Sequence, residues 1–251
     1  MKKTNILAGI LCAAALVGCG GGSDDVAPPT PAPAPPLAGS EGLWNATTSD
    51  QVNVLATVLE NGETWGLYTL TDGLVIGALH GSAQHSAGNN MSVSASYYDM
   101  VSREVVPRSY AGKYSVRDTI ELTASNAVKL TGTYNPLYES PSALSEAVGV
   151  YSGVAIANLA PTQQSTLTVS LGGLVSVAAN PGCTIRGAMT SRASGRNVFD
   201  VKLNFTGSTC PLKDGMVTQG VGLYNSATQT FVVMSLDTTK AESYIYSGKK
   251  T

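Results

Sequence analysis

The feature that most restricts this chain is a two-residue alternation of apolar and polar side chains, recurring in short runs from residue 42 almost to the C-terminus. Met91, Val93, Ala95 and Tyr97 alternate with Ser92, Ser94, Ser96 and Tyr98, and Phe199, Val201, Leu203 and Phe205 alternate with Asp200, Lys202, Asn204 and Thr206. Period two gives an extended strand one dry and one wet face, which a helix cannot reproduce. Runs of this kind fall near 42–48, 52–60, 63–70, 74–81, 91–99, 108–116, 118–124 and 128–134. A second series follows near 149–157, 165–171, 174–179, 183–190, 197–207, 217–225, 229–236 and 241–248. Turn residues separate them. Asn61-Gly62 predicts a type I′ hairpin, and Asp72-Gly73 and Gly172-Gly173 behave alike.

The two series read as copies. Gly42-Leu43-Trp44 matches Gly149-Val150-Tyr151, Gly77-Ala78-Leu79 matches Gly187-Ala188-Met189, and Gly112-Lys113-Tyr114 matches Gly222-Leu223-Tyr224. The intervals are 35 and 35 residues in the first copy and 38 and 35 in the second, a spacing that favours duplication over coincidence. A glycine two places before a ring shares its face, so the ring is expected to cover the gap while the strand coils sharply. Residues 136–148 lack alternation and predict a linker with a short helical turn. The fold class is therefore all-β: two tandem eight-stranded antiparallel meanders, residues 40–135 and 149–251, each a small barrel or a strongly curled sheet. One continuous larger sheet is the alternative. Strands of mostly seven to nine residues, with Ser, Thr, Asn and charges on their second faces, do not suit a membrane-spanning barrel.

The N-terminus has a different logic. Lys2 and Lys3 precede an apolar stretch from Ile6 to Val17, too short to span a bilayer, which predicts a signal peptide over residues 1–18. Leu16-Val17-Gly18-Cys19 matches a lipobox, so Cys19 is the expected lipidation site and the new N-terminus. Each buried methylene is worth about 0.8 kcal/mol, so several acyl chains hold a protein on a membrane persistently. Gly20, a residue other than Asp after that cysteine, resembles the sorting pattern for the outer membrane. Residues 19–39 then form a tether, glycines followed by six prolines between Pro28 and Pro36, with almost nothing apolar to offset ordering. Such a stalk is semi-extended, at roughly 3 Å per residue.

Removal of Lys2 and Lys3 takes the formal charge from −2 to −4, which argues against a nucleic-acid partner. Cys12 leaves with the signal peptide and Cys19 is acylated, so Cys183 and Cys210 are expected to pair. They flank a predicted hairpin whose outer ends an antiparallel pairing brings together. Charge is unevenly shared: five Lys/Arg against ten Asp/Glu in residues 42–148, and eight against four in 149–251. Arg186, Arg192, Arg196, Lys202 and Lys213 gather on or around that hairpin. They form a candidate docking face for a protein or other anionic partner, or for the acidic first half.

Little suggests chemistry. His80 and His85 are the only histidines and are read as loop residues without a ligand role, so no metal and no cofactor is expected. No nucleophile elbow, phosphate loop or dinucleotide fingerprint occurs, and no acidic pair stands out. Trp44, Trp65 and the tyrosines are expected to fill barrel interiors. The expectation is a protein that is not an enzyme.

Three segments carry a resemblance: residues 59–68 (LENGETWGLY), 193–201 (ASGRNVFDV) and 205–210 (FTGSTC) resemble parts of uncharacterised proteobacterial lipobox lipoproteins. The layout of lipidated cysteine, Gly-rich root, stalk and β-lobes is similar to surface lipoproteins of the transferrin-binding and factor-H-binding kind, although no helical handle or long cap loop of the transferrin-binding type is visible. That resemblance implies a binding role and brings no contact residues. The expected protein is a surface-displayed outer-membrane binding module, acting as adhesin, nutrient-capture or host-factor receptor. A periplasm-facing lipoprotein, serving as assembly accessory or cell-wall hydrolase inhibitor, is the alternative.

Overall fold

In the computed structural model, which describes residues 39–251, the alternating runs become sixteen antiparallel strands closed into two barrels. The first comprises β1 (Gly42–Thr48), β2 (Asn53–Val58), β3 (Glu63–Thr69), β4 (Val75–Ser86), β5 (Asn90–Asp99), β6 (Val105–Tyr114), β7 (Thr119–Ala124) and β8 (Lys129–Asn135). The second comprises β9 (Gly149–Ala157), β10 (Ala160–Val169), β11 (Leu174–Ala178), β12 (Thr184–Ser191), β13 (Phe199–Thr206), β14 (Val217–Asn225), β15 (Thr230–Asp237) and β16 (Ser243–Lys250). Each strand pairs with its sequence neighbour. The rings close where β1 meets β8, with Trp44 opposite Tyr134, and where β16 meets β9, with Ile245 opposite Ile156. Closure leaves no unpaired sheet edge. The matched glycines fall on strands one, four and six of each barrel. The signal peptide, Cys19 and tether residues 19–38 lie outside the described residues.

Alternation is executed as expected along β5 and β13, where Met91, Val93, Val201 and Leu203 point into the barrels while Ser92, Ser94, Lys202 and Asn204 face outward. Between the barrels lie a 3₁₀ turn, Pro136–Glu139, capped by the Asn135 side chain, and a single helical turn, α1 (Leu144–Ala147).

Four details differ from the sequence reading. The Asn-Gly, Asp-Gly and Gly-Gly turns are not type I′. Only their second glycines have positive φ (Gly62 81°, Gly73 87°, Gly173 74°). The amides of Leu59, Leu70 and Ser170 each bond the carbonyl four residues on, making three-residue loops with a left-handed glycine. Asn61 Oδ1 and Asp72 Oδ1 accept the amides two residues on, which favours this form. Second, β4 extends to Ser86, because β5 offers the polar Ser82–Ser86 segment a complete backbone ladder, down to Ser86 opposite Asn90. That puts His80 and His85 on a strand rather than in a loop. β10 likewise begins at Ala160, through an irregularity before Gln163. Third, the ring two residues on does not generally cover the motif glycines. A Cβ at Gly42 would lie 2.6 Å from the Tyr134 ring of β8, nearer than Trp44 at 3.3 Å, and at Gly77 it would meet the Tyr97 ring of β5. The constraint is close approach of the adjacent strand.

Fourth, the aromatics divide. Trp44 and Tyr68 fill the first barrel and Tyr151, Tyr244 and Tyr246 the second, but Trp65 and Tyr98 project outward into a seam between barrels. There Leu43, Leu67 and Ala78 pack with Ile156, Leu223, Met234 and Ile245, all on outer faces. β15 is accordingly buried from Phe231 to Asp237 on both faces.

Cys183 and Cys210 are disulfide-bonded, with Cα atoms 4.7 Å apart. The bond fastens loop 207–216 over one end of the second barrel, where Leu212 is buried in the core. Closing a loop of 27 residues stabilises by about 3–4 kcal/mol in the chain-entropy view. Replacing both cysteines by alanine should therefore lower the unfolding free energy, measured in urea, by up to about 4 kcal/mol, and unreduced denatured wild-type protein should label with no thiol at positions 183 and 210.

Candidate functional site

Where the seam opens to solvent, the barrels leave a cleft of about 570 Å³. The first barrel contributes Glu63, Trp65 and His80. Glu63 and Trp65 share the outer face of β3, and His80 on β4 stands opposite Trp65 in register. The rings of Trp65 and His80 lie 4.4 Å apart, and Glu63 Oε1 receives Trp65 Nε1–H at 3.0 Å and contacts His80 Nε2 at 3.1 Å. The hydrogen bond with His80 is the main reason that the Glu63 carboxyl titrates below its ordinary range. Burial opposes it, and Arg192 adds to it.

The opposite wall is the outer face of the second barrel. Thr190 pairs with Asp200 and Ala188 with Lys202 across β12 and β13, and Gln219 of β14 lies beside Lys202. Asp237, the last residue of β15, and Lys240 in the turn to β16 complete this wall. Burial would raise the Asp237 carboxyl, but hydrogen bonds from the Thr239 hydroxyl and from the Glu242 and Thr239 amides outweigh it and hold the group below its usual value. Its charge is spent on its own turn.

The structure does not gather the basic hairpin residues into one patch. Arg186 is exposed on β12, between Ser176 and Asn204. Arg192 crosses to the first barrel, its Nε 2.8 and 3.1 Å from the Glu60 carboxylate, while its Nη1 binds Asp200. Burial would lower its pKa, but the two carboxylates outweigh that and keep it charged. Arg196 is buried at the junction, with Nε 3.7 Å from Glu41 Oε1. Lys213 reaches Glu242 at 3.7 Å. Of the hairpin cations, Arg192 and Lys202 line the cleft. Two arginines of the basic half thus engage the acidic half, the second of the two partnerships expected for this surface.

Glu63 and Lys240 escaped the sequence reading, which put Trp65 inside a barrel and read His80 as a loop residue without a ligand role. The available signal was in β3, where both faces are apolar (Trp65 and Leu67 on one, Tyr68 on the other), which marks a strand buried on each side. Lys202 and Lys240 have no acid within 4.0 Å among the described residues. No group of three or more His, Cys, Asp and Glu side chains converges among those residues. No protein-family model matches the chain, and no curated protein matches it.

A carboxylate held below its unfolded value of 4.5 stabilises the fold above that pH and loses the contribution as pH falls through the depressed folded value. Glu63→Gln should therefore lower the melting temperature at about pH 6, and the wild-type and variant curves should converge by about pH 3. Differential scanning fluorimetry across that range checks this.

Proposed function

We propose that the chain is a non-catalytic, lipid-anchored binding protein of the bacterial outer membrane, displayed at the cell surface, which takes an anionic partner in the cleft between its barrels. The observation that carries the reading is the charge state of the cleft. Its acids are already engaged, Glu63 by His80 and Trp65, Asp200 by Arg192, and Asp237 by its own turn. Lys202 and Lys240 line the same space and have no acid within 4.0 Å among the described residues. An anion entering there gains two cations, both solvent-exposed, so the attraction is one that salt screens. The engaged acids and bases also favour binding over turnover, since general acid–base catalysis needs a group free to exchange its proton at the reacting atom.

The lipobox and the proline-rich stalk support the location. Gly39 and Ser40 enter against His85 at the end of the first barrel where β1 begins, with Ser40 Oγ 2.7 Å from His85 Nε2. A stalk attached there would hold the β1–β2, β3–β4, β5–β6 and β7–β8 loops away from the bilayer.

Three measurements test the proposal. Cys19→Ser should release the protein from the membrane fraction, and protease added to sealed cells should remove the wild type. Protection in sealed cells with loss in disrupted cells assigns it to the periplasmic face instead. Lys202→Glu with Lys240→Glu should make the protein leave a heparin column at distinctly lower salt with its melting temperature unchanged; an unchanged elution point removes the cleft from consideration.

A further inference from the structure

The two barrels have the same strand number and connectivity but fill their interiors differently. The second is packed with rings: Phe199, Phe205, Phe231, Tyr151, Tyr244 and Tyr246 are at most 1% exposed. Both its ends are covered, one by Leu212 under the disulfide-fastened loop 207–216, the other by Leu144 and Ala147 of α1. The first barrel uses smaller side chains. Its fifth strand supplies Met91, Val93, Ala95 and the partly buried Tyr97 where the second barrel's fifth strand supplies Phe199, Val201, Leu203 and Phe205. An eight-stranded ring encloses a fixed width, just enough for large side chains or for one small ligand. The shortfall leaves an apolar cavity of about 40 Å³, lined by Trp44, Val54, Ala56, Met91 and Val93 among others. Ala56 points into this core yet is not buried. An apolar cavity of about 150 Å³ stays dry and admits benzene; at about 40 Å³ this one has room for the end of an alkyl chain.

The two ends of the first barrel differ. Where the chain enters, Ser40 and His85 close the barrel, with the His85 ring 5.2 Å from Tyr114. At the opposite end the β5–β6 loop is only residues 100–104, against residues 207–216 in the second barrel, and a mouth of about 240 Å³ remains. At this end Leu70, Leu74 and Val101 of the loops and Val105 at the start of β6 are exposed. Between mouth and cavity stand Tyr68 and Tyr110, which line both and whose hydroxyls are 2.8 Å apart. Two hydroxyls joined by one hydrogen bond retain one proton to donate elsewhere. Arg108 also lines the mouth, its guanidinium 5.5 Å over the Tyr97 ring and with no acid within 4.0 Å among the described residues. The acids nearby are committed or at the rim: Asp99 Oδ1 takes the Val101 and Ser102 amides, and Asp50 is exposed. Burial raises the Tyr68, Tyr97 and Tyr110 phenols, Tyr97 to about 12, so all three are neutral donors at physiological pH.

From these observations we infer that the first barrel is a second binding site, separate from the inter-barrel cleft, for a carboxylate bearing a short apolar tail. The end of the tail passes between Tyr68 and Tyr110 into the cavity beside Trp44, and the rest of it lies in the mouth. The carboxylate stays at the mouth, paired with Arg108 and accepting a tyrosine hydroxyl. Parting of a single hydroxyl contact joins mouth and cavity into one space.

Octanoate is the probe, titrated by calorimetry and tryptophan fluorescence into the full chain carrying Cys19→Ser, so that no lipid or detergent competes. The expected result is saturable one-to-one binding, weakened at least tenfold by Arg108→Gln and at least tenfold by Ala56→Leu, which fills the cavity. Octyltrimethylammonium, with the same tail and the opposite charge, should bind at least tenfold more weakly than octanoate. Val93→Ile, a milder filling, should weaken octanoate in the same direction and serves if Ala56→Leu lowers the melting temperature. Absence of saturable octanoate binding overturns the inference, as does equal binding of the ammonium, or affinity indifferent to both Arg108→Gln and cavity filling. None of these outcomes bears on Lys202 and Lys240, so this inference and the cleft proposal stand or fall separately.

Discussion

Everything distinctive about this molecule depends on the apolar seam between the barrels. A closed meander satisfies its own backbone and needs only its interior to be dry, so two such barrels have no intrinsic reason to touch. Here the outer faces of β1, β3 and β4 carry Leu43, Trp65, Leu67 and Ala78, and those of β14 to β16 carry Leu223, Met234 and Ile245. Fully burying one such side chain is worth roughly 1.5–3 kcal/mol, so the seam outweighs any single polar contact across it. The polar contacts give it register instead: Tyr98 donates to the Lys240 carbonyl at 2.8 Å, and Arg192 spans Glu60 and Asp200. The cleft exists only because this docking holds its two walls at a fixed separation.

Docking also changes the meaning of the charge asymmetry. An acidic half followed by a basic half reads, in one dimension, as a surface awaiting a partner. In three dimensions Arg192 and Arg196 meet Glu60 and Glu41, so part of the imbalance is neutralised inside the molecule. Among the cations left facing solvent-accessible space, Lys202 and Lys240 line the cleft and Arg108 lines the first barrel's mouth.

The two barrels show one backbone plan under two packing regimes. The second is filled with aromatic rings and closed at both ends, one of them through the disulfide-fastened loop. The first retains Ala46, Ala56 and Ala83 inside, keeps a short β5–β6 loop, and leaves an apolar cavity behind a tyrosine pair. Since barrel width follows from strand number and shear, side-chain volume alone decides whether the interior is solid or hollow. Sixteen strands could be read in order from alternation and turn residues, yet the hollow could not, because a cavity is a difference between summed volumes and an enclosed space.

What the sequence by itself determined was whatever depends on local period and composition: strands, their order, the meander, its division into two sets of eight strands, and the cysteine pair at the ends of one hairpin. Alternation fixes which face is dry, and short turns leave each strand no neighbour but the next, so these followed without knowledge of distant contacts. What only the tertiary structure decided was how the outer faces are used. Trp65 and Tyr98 are period-two residues like any others, and nothing local tells an outward aromatic covered by a second barrel from one pointing into its own. Hairpin type was equally out of reach, because the Asn61 and Asp72 carboxamide and carboxylate oxygens bond amides two residues on and so select a three-residue loop over the two-residue turn. The site residues His80, Glu63, Lys202 and Lys240 come from both barrels and are brought together by packing between surfaces distant in sequence, which no period in the chain encodes.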